Sequence, residues 1–115
     1  MRRTLLFLLL ACLASCSKGP QADLEYIGDA RSLAAEWALV NEQAAQGKLT
    51  STYVDSMHQW LRQQLQTDSK ALTQPNAGYA AEIEGLLKQP DDASPDALRG
   101  HADRLKQYED ALESA

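Results

Sequence analysis

Two long helical patterns separated by a very short connection constrain the fold of this chain more than any other feature. Across residues 23–46, apolar side chains recur at alternating spacings of four and three residues, which is the repeat of one helix face. A second apolar pattern covers residues 50–73, and only Gly47 to Leu49 lie between the two. Long helices joined this tightly fold back on each other, so the sequence predicts an antiparallel helical hairpin.

The ends of these two patterns carry residues that favour helix termini. Gly47 stands where a left-handed C-terminal cap is expected. With Thr50 as the N-cap, Leu49 and Val54 have the spacing of a hydrophobic staple. Pro75 prevents the second helix from continuing far beyond residue 73.

Two further helical patterns follow in the remaining third of the chain. The third covers residues 78–88 and ends before Pro90. Ser94 followed by Pro95 gives an N-cap and a proline at the first helical position, so the fourth helix is expected over residues 95–113. The chain shows neither strand-like alternation nor an internal repeat. We therefore predict an all-α fold, a small antiparallel bundle of about four helices.

The first sixteen residues differ sharply from this pattern. Arg2 and Arg3 form a short positive region, a run of apolar residues follows from Leu5 to Leu13, and small residues then precede Cys16. The order of these parts, ending in Leu13-Ala14-Ser15-Cys16, resembles the signal peptide and lipobox of bacterial lipoproteins. The resemblance implies cleavage before Cys16, a diacylglycerol group on its sulfur and usually a further acyl chain on its new amino group.

The resemblance divides the chain into three parts. Residues 1–15 are the expected signal peptide, residues 16–22 the lipidated cysteine and a short tether, and residues 23–115 the helical domain. Nine apolar residues are too few for a permanent transmembrane helix, which needs roughly 20 residues. Two or three acyl chains give durable attachment where one holds only marginally, so the expected anchor is lipid rather than peptide.

The residue after the lipidated cysteine bears on the destination of the protein. In the family, aspartate at this position is the familiar inner-membrane retention signal of enteric bacteria. Here the residue is Ser17, which favours the periplasmic face of the outer membrane. The short tether is expected to keep the folded domain close to the bilayer.

The charge of the mature chain excludes some partners. Loss of Arg2 and Arg3 from 11 basic residues leaves 9 against 16 acidic residues, which gives a net charge near −7. An acidic surface argues against nucleic acid, because phosphates must be neutralised by lysine and arginine. Cleavage also removes Cys12, and lipidation occupies Cys16, so the domain has no thiol for a disulfide, a metal site or a nucleophile.

The two histidines are the candidate ligands for a metal or a haem. His58 and His101 could meet across the bundle, and Met57 beside His58 would allow mixed Met/His haem ligation. The polar neighbours Gln59 and Arg62 instead indicate that His58 lies on a solvated flank. We therefore predict no metal and no cofactor.

Catalytic motifs are missing from the sequence. There is neither a Gly-x-Ser-x-Gly elbow nor a phosphate-binding glycine loop. Glu36 and Asp55 could in principle form a carboxylate pair between helices, but exposed charges on helix faces explain these residues more simply. We predict that the protein is not an enzyme.

Glutamines cluster around one tryptophan of the second helix. Trp60 has Gln63 and Gln64 among its neighbours, and such a polar but uncharged surface suits a protein partner. The candidate interaction residues are Trp37, Trp60, Gln63 and Gln64. Trp37 is expected to be the largest core residue of the first helix, with ligand stacking as the alternative role. The predicted function is a non-catalytic interaction or accessory module of the envelope. The alternative is a small-molecule or lipid binding protein with a pocket near Trp37 and Trp60.

Overall fold

The computed structural model describes residues 19–115, and this part of the chain is helical without any strand. It contains a 3₁₀ helix, Pro20–Asp23, followed by α1 (Leu24–Ala45), α2 (Ser51–Ala71), α3 (Gly78–Leu87) and α4 (Pro95–Glu113). The prediction of a small all-α bundle of about four helices is confirmed. Each helix begins and ends within two residues of its predicted bounds.

The capping residues act as their side chains predict. The Thr50 hydroxyl accepts a hydrogen bond of 3.2 Å from the backbone N–H of Tyr53. The Ser94 hydroxyl accepts one of 3.1 Å from the N–H of Ala97. Gly47 has a φ of 70°, so it ends the first helix in the left-handed conformation that favours glycine.

The first helix is the centre of the bundle. It packs mainly against α4 and α2, and α3 closes the remaining side against α2 and α4. The core is apolar and continuous, and its largest fully buried side chains are Trp37, Ile27, Leu61, Leu65, Ile83, Leu86, Leu98 and Leu105. Each such side chain stabilises the fold by about 1.5–3 kcal/mol through its removal from water.

A buried carboxylate fixes the beginning of the bundle. Asp23 accepts hydrogen bonds from the N–H groups of Thr73 and Gln74, and from the hydroxyl groups of Thr73 and Tyr79. Burial alone raises the pKa of Asp23, but the bonds from Tyr79, Thr73 and Gln74 together outweigh it, so the pKa lies below its usual value. Asp23 is therefore a buried anion that joins the start of α1 to the α2–α3 loop.

Residues 20–22, which the sequence assigns to the expected tether, belong to the 3₁₀ helix. The carbonyl of Gly19 accepts a hydrogen bond of 3.1 Å from the Thr73 hydroxyl. The reason is Asp23, whose side chain holds this end of the chain against the α2–α3 loop. The expected signal peptide and Cys16 lie outside the described residues. No helix within residues 19–115 is long and apolar enough to cross a bilayer.

Candidate interaction surface

The second helix exposes two large aromatic side chains on one face. Tyr53 is 49% exposed and Trp60 is 43% exposed. They are seven residues apart, which is about two helical turns, so they point to the same side. Met57 and Gln64 lie between and beyond them at spacings of four, and both are half-buried. We call Tyr53, Met57, Trp60 and Gln64 the aromatic stripe, and none of its members is charged.

The position of the aromatic stripe follows from the helix repeat. At about 100° per residue, the stripe lies roughly a quarter turn from the buried face of α2. That buried face consists of His58, Leu61, Leu65 and Asp68. Arg62 falls on the opposite flank, where it contacts the loop between α3 and α4. The stripe is therefore left as an outer edge of the bundle.

The glutamines predicted beside Trp60 lie on the outside of this helix. Gln63 is exposed and Gln64 is half-buried. Gln59 and Gln66 are also exposed, but at about 100° per residue they lie more than a third of a turn from the aromatic stripe. Trp60, Gln63 and Gln64 thus share one side of α2.

The placement of Trp37 corrects one part of the sequence interpretation. Trp37 is fully buried, and its indole N–H donates a hydrogen bond of 2.9 Å to the carbonyl of Asp91. The guanidinium of Arg62 lies 4.9 Å from its ring centre. Trp37 is confirmed as a core residue, and because it is sealed inside the bundle it takes no part in an interaction surface.

The structure does not bring Trp37 and Trp60 together around the expected pocket. One indole is in the core and the other points outward, so they do not face a common space. Neither tryptophan lines any of the five cavities described for residues 19–115. Helix periodicity places both tryptophans on apolar faces. It does not show that the face of Trp37 is buried while Trp60 lies on an exposed edge of α2.

His58 lies inside the bundle rather than on the predicted solvated flank. It is only 7% exposed, and its Nε2 atom is 2.7 Å from Oδ1 of Asn41. The amide nitrogen of Asn41 donates to the carbonyls of Asp91 and Ala93, so its oxygen must accept from His58 Nε2–H. The histidine therefore carries its proton on Nε2 and serves to orient Asn41.

Arg62 explains why the polar neighbours of His58 were misleading. Its guanidinium folds back and donates hydrogen bonds to the carbonyls of Leu87 and Gln89, at 2.9 and 2.5 Å. It also pairs with the carboxylate of Asp91 at 2.6 Å. Arg62, whose charge predicts solvent exposure, is thus a clamp between α2 and the α3–α4 loop.

His101 belongs to a separate polar network. Its Nδ1 atom is 3.0 Å from a carboxylate oxygen of Glu82, and its Nε2 atom is 3.0 Å from the side-chain nitrogen of Gln89. Arg104 donates to the same carboxylate oxygen at 2.5 Å. His58 and His101 therefore have different partners. Within residues 19–115, no three histidine, cysteine, aspartate or glutamate residues are grouped so that they could hold a metal ion.

A carboxylate pair does form, but not the one considered from the sequence. Glu36 and Asp55 are both exposed on helix faces. The residues that meet are Asp68 of α2 and Asp29 of α1. Burial, a hydrogen bond with Asp29 and the negative charges of Asp29 and Glu25 raise the pKa of Asp68 to about 8. Asp68 is 6% exposed, and its raised pKa means that it keeps its proton at neutral pH.

A groove lies at the end of the bundle where the chain enters it. Its volume is about 490 Å³, and its lining is uncharged: Pro20, Gln74, Asn76, Ala77, Gly78, Tyr79, Tyr108, Ala111 and Leu112. We call it the terminal groove. Sequence patterns do not indicate this groove, because it is assembled from the 3₁₀ helix, the α2–α3 loop with the first turn of α3, and the last turns of α4.

Polar residues inside apolar repeats are the signal that sequence reasoning overlooked. Asn41 follows Trp37 by four residues on the buried face of α1, and Asp68 follows Leu65 by three on the buried face of α2. A polar residue at such a position must find a partner inside the protein.

No family model, curated protein or solved structure matches the chain.

Proposed function

We propose that the protein is a bacterial envelope lipoprotein, anchored through lipid on Cys16, whose helical bundle binds an envelope protein through the aromatic stripe. The signal peptide and lipobox pattern of residues 1–16 supports the anchor. Ser17 favours the outer membrane over the inner membrane. In this proposal the domain is a non-catalytic interaction or accessory module.

The exposure of Trp60 and Tyr53 is the observation that carries the proposed binding role. Among residues 19–115, four large hydrophobic side chains are exposed, and these two share one helix face. Tryptophan and tyrosine are enriched at the centres of protein interfaces because they bury a large area and lose little side-chain freedom. Neither side chain is needed to fill the core, which already contains Trp37.

The chemistry around the stripe suits a protein partner. An interface typically has an apolar centre and a polar rim. Tyr53, Met57 and Trp60 supply such a centre along about 10 Å of helix. The exposed amide of Gln63 supplies an uncharged part of the rim, whose desolvation is cheaper than that of a carboxylate.

The anchor point sets the height of this surface above the membrane. The Thr73 hydroxyl donates a hydrogen bond to the Gly19 carbonyl, so the end of α2 lies beside the point where the chain enters the bundle. Trp60 is eleven residues before the end of α2 at Ala71, or about 16 Å along the helix. A lipid on Cys16 would therefore hold the aromatic stripe above the bilayer, where it can meet a soluble or membrane-anchored protein.

The binding role is tested by crosslinking in intact cells. A photoreactive phenylalanine analogue is placed at position 60 of the full-length protein, and in a matched variant at position 103, where Asp103 is exposed on α4. We expect irradiation to give a discrete protein adduct from position 60 and a much weaker one from position 103. Equal adducts from both positions, or none from position 60 in a protein that reaches the envelope, would refute binding through the stripe.

A further inference from the structure

The terminal groove is an uncharged site in a strongly acidic protein. The chain as a whole has a net charge of −5, yet no aspartate, glutamate, lysine or arginine lines this groove. Its walls come from Pro20, from Ala77 and Gly78 at the start of α3, and from Tyr108 and Leu112 of α4. Such a lining suits a hydrocarbon ligand, whose binding would remove apolar surface from water on both sides.

The wall formed by Tyr108 is fixed in place by its neighbours. Its hydroxyl group lies against Gly78, where even the Cβ atom of alanine would collide with it. Its ring meets that of Tyr79 edge-on, with 6.2 Å between ring centres. Tyr79 is held in turn by its hydrogen bond to Asp23. The groove is therefore preformed, and a ligand need not rearrange the bundle to enter it.

The position of the groove identifies its occupant. Pro20 lines the groove, and Cys16 is only four residues earlier in the chain. Four residues extend at most about 14 Å, so a chain attached to the Cys16 sulfur starts within reach of the groove. Covalent attachment also gives such a chain a high effective concentration there.

We propose that the terminal groove binds one acyl chain carried on Cys16 of the same molecule. This inference rests on the lipidation of Cys16 in the proposed function. While the protein is in the membrane, the bilayer surrounds this acyl chain with an equally apolar environment. The groove therefore binds the acyl chain when the protein is out of the membrane. The groove would then cover one chain of the anchor from water.

The test uses a fatty acid with a photoreactive diazirine group, supplied to cells that make the full-length protein. The purified protein is diluted until the detergent is below its critical micelle concentration, and it is then irradiated and digested with trypsin. We expect an internal crosslink between the lipid on Cys16 and the peptide 107–115, which contains Tyr108, Ala111 and Leu112.

A pair of glutamate variants provides the control. Ala111 is exposed and lines the groove, so Ala111→Glu places a carboxylate there and is expected to lower the crosslink yield about tenfold. Ala97→Glu makes the same change at an exposed position near the other end of α4 and is expected to leave the yield unchanged. Equal yields from the two variants would contradict binding in the groove.

The outcomes separate the two proposals. A label on Cys16 that crosslinks only to phospholipid or to peptides away from the groove would overturn the groove proposal and leave the lipid anchor standing. A protein that carries no label on Cys16 would overturn both.

Discussion

The carboxylate of Asp23 accepts a hydrogen bond of 2.5 Å from the hydroxyl group of Tyr79, which is 56 residues away in the chain. This contact joins the first residues of the bundle to α3, and Tyr79 then supports the wall of the terminal groove. Because a buried anion depends on its hydrogen-bond donors, the loss of one donor should lower the free energy of unfolding of the domain.

The first prediction concerns this contact. Tyr79→Phe removes one donor to the buried carboxylate, and we expect the free energy of unfolding to fall by about 1–3 kcal/mol. Urea denaturation followed by circular dichroism measures the change. Tyr53→Phe is the matched control, because Tyr53 is 49% exposed, and its stability should stay near that of the wild type. Equal stability of both variants and the wild type would show that the Asp23 contact contributes little.

The second prediction concerns the clamp formed by Arg62. Arg62→Lys cannot reproduce the forked bonds to the Leu87 and Gln89 carbonyls, so the α3–α4 loop should open more often. We expect faster hydrogen exchange at the N–H of Ala93, which is bonded to the carbonyl of Pro90.

The matched control for this clamp is Arg99→Lys. Arg99 is an exposed arginine that pairs only with Glu42 within residues 19–115, and an exposed pair contributes about 0–1 kcal/mol. Exchange at Ala93 should therefore remain as in the wild type. If both lysine variants exchange alike, the loop is not fixed by the Arg62 bonds.

The third prediction is a dependence of stability on pH. The pKa of Asp68 is raised from 3.8 to about 8 in the folded protein, so the folded state holds a proton that the unfolded state releases. The contribution of this proton is fully present below about pH 4 and is lost as the pH rises towards 8. We expect the free energy of unfolding to fall across this range.

Asp68→Asn tests the pH prediction directly. The amide is neutral like the protonated carboxyl group but does not ionise, so the variant should gain stability relative to the wild type at pH 8 and gain least at pH 4. Asp103→Asn, a change at an exposed position, should leave the pH profile in place. A wild-type profile that is flat between pH 4 and 8 would contradict the raised pKa of Asp68.

The fourth prediction separates the two tryptophans by fluorescence. Trp60→Phe leaves Trp37 as the only tryptophan of the chain, and Trp37 is fully buried. The emission should shift to shorter wavelength and become resistant to quenching by iodide, while the stability changes by less than about 0.5 kcal/mol. Emission that remains readily quenched would place Trp37 in contact with solvent and contradict its position in the core.

The helices and their caps could be predicted from the sequence because their causes are local. Thr50, Ser94 and Gly47 act within one turn of their own positions, and apolar spacing determines which face is buried. Trp37 was assigned correctly to the core for the same reason.

The polar contacts could not be predicted because they join residues far apart in the chain. The contact of His58 with Asn41 and that of Asp68 with Asp29 depend on the register of α1 against α2. The charge of Arg62 predicts solvent exposure, but two of its partners are backbone carbonyls, and the sequence does not show which carbonyls are free to accept. The terminal groove was missed because three separate segments build it.

The height of the aromatic stripe and the occupant of the groove both depend on the lipid anchor. Mass spectrometry of the full-length protein purified from bacterial membranes shows whether this anchor is present. We predict a chain that begins at Cys16 and carries the added mass of a diacylglycerol group, with or without a further acyl chain. A chain that still contains residues 1–15, or that has an unmodified Cys16 thiol, would contradict the account.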